Sequence, residues 1–150
     1  MANHVAEQII AAAVSALGSL NTTGSNAFAS REYPLQDSEL PAILIDHGNE
    51  ELESVGLGAS RVIERTLELV VIAKVKKTSG ALARTDLNTI RKEVESALAS
   101  DNTLGGTCKY VNPRRYEMEL DEEGEKSRAS GTMFFEVFYA TALNAPDVPL

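Results

Sequence analysis

Asp46 and His47 stand side by side after the apolar run AILI and are the one adjacent carboxylate–imidazole pair in the chain. Such a pair does acid–base work when the carboxylate holds the ring in one tautomer. Neighbours on a strand, however, point to opposite faces, so these two do not meet without a bend. No serine nucleophile motif and no third partner complete a triad. The expectation is therefore a surface position and no catalytic residue.

The other chemically capable groups are weaker. Cys108 has no cysteine partner for a disulfide or a metal site and no histidine nearby in sequence, which suits a small core or edge residue. The acids Glu50, Glu51 and Glu53, and the run Asp121, Glu122, Glu123 and Glu125, lack the alternating ligand spacing of a calcium loop. They read as solvated charge. Gly56-Leu57-Gly58 lacks the third glycine and the strand–turn–helix setting of a phosphate-binding loop. Arg114-Arg115 after Pro113 reads as a pair for acidic partners, in this chain or a neighbour. No catalytic, cofactor or metal residues are assigned, and no cofactor is expected.

Bulk properties narrow the class. With 150 residues the chain fits one domain with a core of its own, and 43% hydrophobic with 24% charged residues argues against disorder. Fourteen Lys and Arg against 22 Asp and Glu leave a net charge of −8. A nucleic-acid-binding module needs clustered cations, so that class is disfavoured; an acidic wall would instead let a duplex slide past. A single cysteine fits a reducing cytoplasm. The apolar start lacks a basic region, with Glu7 and Gln8 where one belongs, and no apolar run approaches the roughly 20 residues of a membrane span. No membrane partner is expected.

The elements that must position these groups follow from periodicity. Val5, Ile9, Ala13, Ala16, Leu17 and Leu20 predict an amphipathic helix over 4–20, ended by NTTGSN. Residues 27–33 and 42–46 predict short strands around a loop with Pro34 and Pro41. HGNEELESVGLGASR, residues 47–61, shows no period and predicts a long exposed loop of the kind that is often functional. Residues 62–77 carry the strongest strand pattern. At sixteen residues that strand would span about 50 Å, so it should bend or project beyond the sheet. Thr85 or Asp86 should cap a second helix with the stripe Leu87, Ile90, Val94, Ala97 and Leu98. Strands at 107–120 and 129–142 should flank a hairpin turn at 121–128, and NAPDVPL should make an extended C-terminal arm over 143–150. The order αβββαββ predicts an α+β domain over 1–150, with two main helices on a mixed, largely antiparallel sheet of about five strands.

One pattern exceeds what two helices easily explain. Around Leu69–Ala73 the central strand is apolar on both faces, and in the last strand Met133, Phe135, Val137 and Tyr139 alternate with Phe134, Phe138 and Ala140. If both helices cover one face, Val70, Ile72, Phe134 and Phe138 need another cover, and a second copy of the chain is the simplest one. The alternative is one helix over each face.

The order of words along roughly residues 5–142 resembles the tail terminator, or tail completion, proteins of long-tailed phages. After the helical start come REYPL and LPAILID, then IERTLELVVIAKV, DLNTIRKEVESALASDNTLGG, YEMELDEEGEKS and MFFEVFYAT. The group is the one that includes the minor tail protein U of phage lambda. The resemblance implies a non-enzymatic subunit of a hexameric ring. Such a ring caps the last ring of tube protein, stops polymerisation and presents a surface to the neck, or head-completion, protein. Its place would be the head-proximal end of the tail in the virion, after assembly in the host cytoplasm, with DNA passing through the lumen unbound. The acidic segments Glu50, Glu51 and Glu53, and Glu122, Glu123 and Glu125, are then candidates for the lumen or for ring contacts. Two other readings remain: a neck, head-closure or tube-related subunit, and a small cytosolic enzyme or ligand-binding domain using Asp46 and His47.

Overall fold

A computed structural model describes residues 2–29, 35–76, 80–123 and 126–150. The elements in chain order are α1 (Val5–Leu17), β1 (Ala27–Ala29), a single 3-10 turn (Asp37–Glu39), β2 (Ala42–Val55), β3 (Val62–Lys76), α2 (Gly80–Ser100), β4 (Tyr110–Glu123) and β5 (Lys126–Ala142). The five strands make one sheet in the order β1-β2-β3-β5-β4. Only the β1–β2 pairing is parallel; the other three are antiparallel. The α+β class, the two helices and the mixed five-stranded sheet are as the periodicity predicts.

Both helices lie on the same side of the sheet. Val5, Ile9, Ala13 and Leu17 of α1 join Ala83, Leu87, Ile90, Val94 and Leu98 of α2 in one buried cluster. The same cluster holds Leu67, Leu69, Val71, Ala73 and Val75 of β3 and Met133, Phe135, Val137 and Tyr139 of β5. Register explains the match: Leu69 lies opposite Phe135 and Val71 opposite both Met133 and Ile45, so alternate residues of three strands face the helices together. Each such buried aliphatic or aromatic side chain contributes about 1.5–3 kcal/mol through removal from water. Covering one face by one helix each is thereby excluded.

Four expectations need correction. Residues 47–55 are strand, not loop: β2 continues to Val55 against β3, past an irregularity between His47 and Glu50. Only 56–61 form the turn, where Gly56 (φ 90°) and Gly58 (φ 89°) take a backbone conformation that suits glycine. No period shows because, among the described residues, β1 pairs with residues 43–45 alone, leaving 46–55 at an edge where every residue but Glu50 is exposed. Second, the turn expected over 121–128 is narrower, since β4 runs to Glu123 and β5 starts at Lys126; of the two alternatives for β3, bending or projecting, projection is excluded because β5 pairs with it from Val62 to Lys76. Third, α2 starts at Gly80, so Thr85 and Asp86 lie inside the helix; Ala81-Leu82-Ala83-Arg84 are good helix formers, and buried Ala83 extends the apolar stripe by a turn.

Fourth, residues 143–150 are not an extended arm. They fold back through short turns, Leu143 N–H donating to the Arg61 carbonyl and Leu150 N–H to the Ala140 carbonyl, at 2.8 and 3.0 Å. The physical reason lies at the start of α1, whose first N–H groups have no partner within the helix. Val5 N–H reaches the Pro146 carbonyl at 3.0 Å, Gln8 Nε2 the Asp147 carbonyl at 2.8 Å, and the His4 ring Nδ1 accepts from Ala6 N–H. The remainder of the strand expected over 27–33, and the tip of the 121–128 hairpin with Glu125, lie outside the described residues. Among the described residues no helix is long and apolar enough to cross a membrane.

Candidate assembly surface

The side of the sheet turned away from the helices has an apolar centre. Val70 lies directly opposite Phe134, Ile72 lies between Leu44 and Thr132, and Phe138 stands opposite Thr66. Val70, Ile72, Phe134 and Phe138 thus come together on one surface, each half-buried. Phe138 stacks on Tyr110 of β4, ring centroids 5.5 Å apart at 14°. The Arg115 guanidinium lies 4.0 Å from the centroid of Phe134, and Arg114 bonds Glu136 at 2.9 Å. Strands running under helices on one side only would normally alternate apolar with polar. Here the polar side of that alternation is interrupted by aromatics, and their rims are held by cation–π and ionic contacts.

Glu51 and Glu53 sit on this same face, opposite Thr66 and Glu64. Glu50 does not. It points to the helix side, where Oε1 is 2.9 Å from Arg65 Nη1 and Oε2 accepts from the Tyr139 hydroxyl at 2.5 Å. Arg65 is 9% exposed, its Nε donates to Thr141 Oγ1 at 3.2 Å, and Thr141 is fully buried. Burial, then the bond to Glu50, raises the Tyr139 phenol well above its usual range. This ion pair binds β2, β3 and β5 together at one end of the sheet. It was not foreseen, although its signal is present: Arg65 falls in the same alternation as Leu67, Leu69 and Val71, where a charge requires a partner.

The second acidic run lies at the other end. Glu123 is opposite Lys126, whereas Glu64, beside Glu53, is opposite Ala140. Fourteen residues of β5 separate those two levels, about 45 Å of strand. By register, the two sets of acids therefore belong to opposite ends of the sheet.

The pair Asp46–His47 does not assemble as a catalytic couple. The Asp46 carboxylate accepts from the backbone N–H of His47 at 2.8 Å, and the His47 ring Nδ1 is 3.1 Å from the Gly48 carbonyl. Gly56-Leu57-Gly58 lies in the β2–β3 turn, with β3 rather than a helix after it. Cys108 is buried, and burial together with the Asp101 charge pushes its thiol up to about 11, so it is protonated and unreactive at neutral pH. Among the described residues no group of three His, Cys, Asp or Glu is gathered to hold a metal ion.

No family model matches the chain, and no curated protein matches it. Among solved structures, one similar chain belongs to the virion of a native gene transfer agent (GTA) particle. It is 11% identical, with 90% of this chain and 92% of that chain covered and a TM-score of 0.35. That likeness is too shallow to assign a fold family.

Proposed function

We propose that this chain is a virion structural protein with the role of a phage tail terminator. Copies form a ring, hexameric by the resemblance, that caps the tail tube, ends its polymerisation and offers the attachment surface for the neck. The observation that carries this reading is the one-sided cover of the sheet. With both helices on one face, Val70, Ile72, Phe134 and Phe138 occupy the other, and their burial against another copy of the chain supplies the driving force for association. The order of sequence words supplies the tail-specific part.

In this reading Glu51 and Glu53 at one end of the sheet, and Glu122 and Glu123 at the other, serve the two rims of the ring or its lumen. Glu50 is withdrawn from that role because its charge is bound to Arg65. A net charge of −8 keeps the passing DNA unbound. The tube protein and the neck protein are the partners, and the head-proximal end of the tail is the location.

The test is tail length. In particles assembled without the chain, tubes should overrun their normal length and fail to join heads, as measured by negative-stain microscopy. Added back, the purified chain should restore a single length and should appear as a ring of six copies of 16.1 kDa each. Tails of normal length, joined to heads in its absence, would refute the assignment.

A further inference from the structure

The two neighbours of β5 do not end together. β4 pairs with it as far as Tyr110 opposite Phe138, whereas β3 follows it on to Ala142. Residues 143–150 fill the remaining outer edge. Ala145 N–H donates to the Ala142 carbonyl at 3.1 Å, and Leu150 N–H to the Ala140 carbonyl at 3.0 Å. Between those two anchors the segment passes the start of α1, where the Pro146 carbonyl takes Val5 N–H and the Asp147 carbonyl takes Gln8 Nε2. Val5 and Ile9 of α1 belong to the core on the helix side of the sheet, so the segment crosses that side at this end.

Its hold is made of hydrogen bonds to its backbone. None of residues 143–150 is buried, and Leu143, Val148 and Leu150 are 41, 49 and 51% exposed. A net hydrogen bond contributes about 1 kcal/mol, so a segment seated by a few of them and by no buried side chain is among the first parts of a fold to open. The anchors are also linked. Pro146 and Pro149 stiffen the short stretch between α1 and Ala140, so one anchor cannot travel far while the others hold.

The residues flanked by this segment are polar. Thr141 lies between the two bonded residues Ala140 and Ala142, is fully buried, and shares the helix-side face with Tyr139. Its hydroxyl accepts from Arg65 Nε, and Arg65 holds Glu50. Such a buried pair changes character once water reaches it.

We infer that residues 143–150 form a latch. They open as one unit, release Val5 N–H as they do so, and when shut keep water from the cluster of Arg65, Glu50, Tyr139 and Thr141. The latch belongs to the single chain and is the same in a monomer as in a ring, so it stands or falls independently of the tail role.

Hydrogen exchange of the full chain, read residue by residue by NMR, tests it. The amides of Ala145, Val148, Leu150 and Val5 should share one protection factor, at least about tenfold below that of Met133 and Val137 in the middle of β5. Arg65 Nε–H should exchange with the same factor as the four amides. Gln8→Ala removes the tie to Asp147, and Leu150→Pro removes the N–H that reaches Ala140. Each should speed exchange of the remaining latch amides and of Arg65 Nε–H together, by about fivefold, and leave Met133 and Val137 unchanged. Latch amides with unrelated rates, a Val5 amide that stays protected while the segment exchanges, or rates that neither variant moves would overturn the single opening. An Arg65 Nε–H that exchanges only with Met133 and Val137 would overturn the shielding.

Discussion

Glu50 and Arg65 show how a residue's role depends on which side of a strand it occupies. One position away from Glu51, Glu50 turns inward and meets Arg65 and Tyr139 where little water reaches. Removing one member of a buried pair leaves the other uncompensated, which costs about 3 kcal/mol. Glu50→Gln should therefore lower the melting temperature by roughly 10 °C in calorimetry, whereas Glu51→Gln should leave it nearly unchanged. Equal effects of the two would remove the structural role assigned to Glu50. Cys108 makes a prediction in pH. Its thiol ionises at about 11 in the folded chain against an ordinary value of 9.0, so above pH 9 the unfolded chain loses this proton first. Stability should be complete below pH 9 and fall as pH rises toward 11, with the raised Tyr139 phenol acting in the same direction. Urea midpoints across that range should drop less in Cys108→Ala than in the wild type; parallel curves would deny the thiol any part.

At the level of elements, local pattern was reliable where one face is buried. The stripes of α1 and β3 placed those elements to within a few residues, because burial on one side imposes a period of 3.6 or 2. It was silent for 47–55, an edge strand among the described residues whose side chains, Glu50 apart, are exposed and show no apolar period, and only the register against β3 makes it a strand. Pairing between β4 and β5 brings in a contact of the same non-local kind. Gly131 lies opposite Met118 and Ala73, and the ring of Tyr116 packs where its Cβ would stand. Gly131→Ala should cost about 2 kcal/mol through overpacking. In a Tyr116→Leu background the cost should shrink, a coupling measurable by a double-mutant cycle in urea. Independent, additive effects would show that the ring is not the obstacle.

At the level of the whole molecule, the sheet separates the core-facing residues from those that the proposed function assigns to association. Phe134 and Phe135 are neighbours in sequence and on opposite faces. Phe135→Ala opens the core and should cost about 3–5 kcal/mol. Phe134→Asp and Val70→Asp place charge on the open face, and should reduce the oligomer mass in light scattering while changing the melting temperature little. Loss of stability without loss of association in those two variants would count against the open face as a contact.

The sequence alone determined the α+β class, the buried stripes and the alternation that sets Val70, Ile72, Phe134 and Phe138 apart from their buried neighbours, since each rests on a pattern within a single segment. Three things waited for the tertiary structure: the placing of both helices on one face, the strand character of 47–55, and the separation of Glu50 from Glu51 and Glu53. Each depends on a partner distant in the chain, β5 and α2 for the cover, β3 for the edge strand, Arg65 and Tyr139 for the carboxylate. Long-range register, unlike local period, leaves no mark on neighbouring residues.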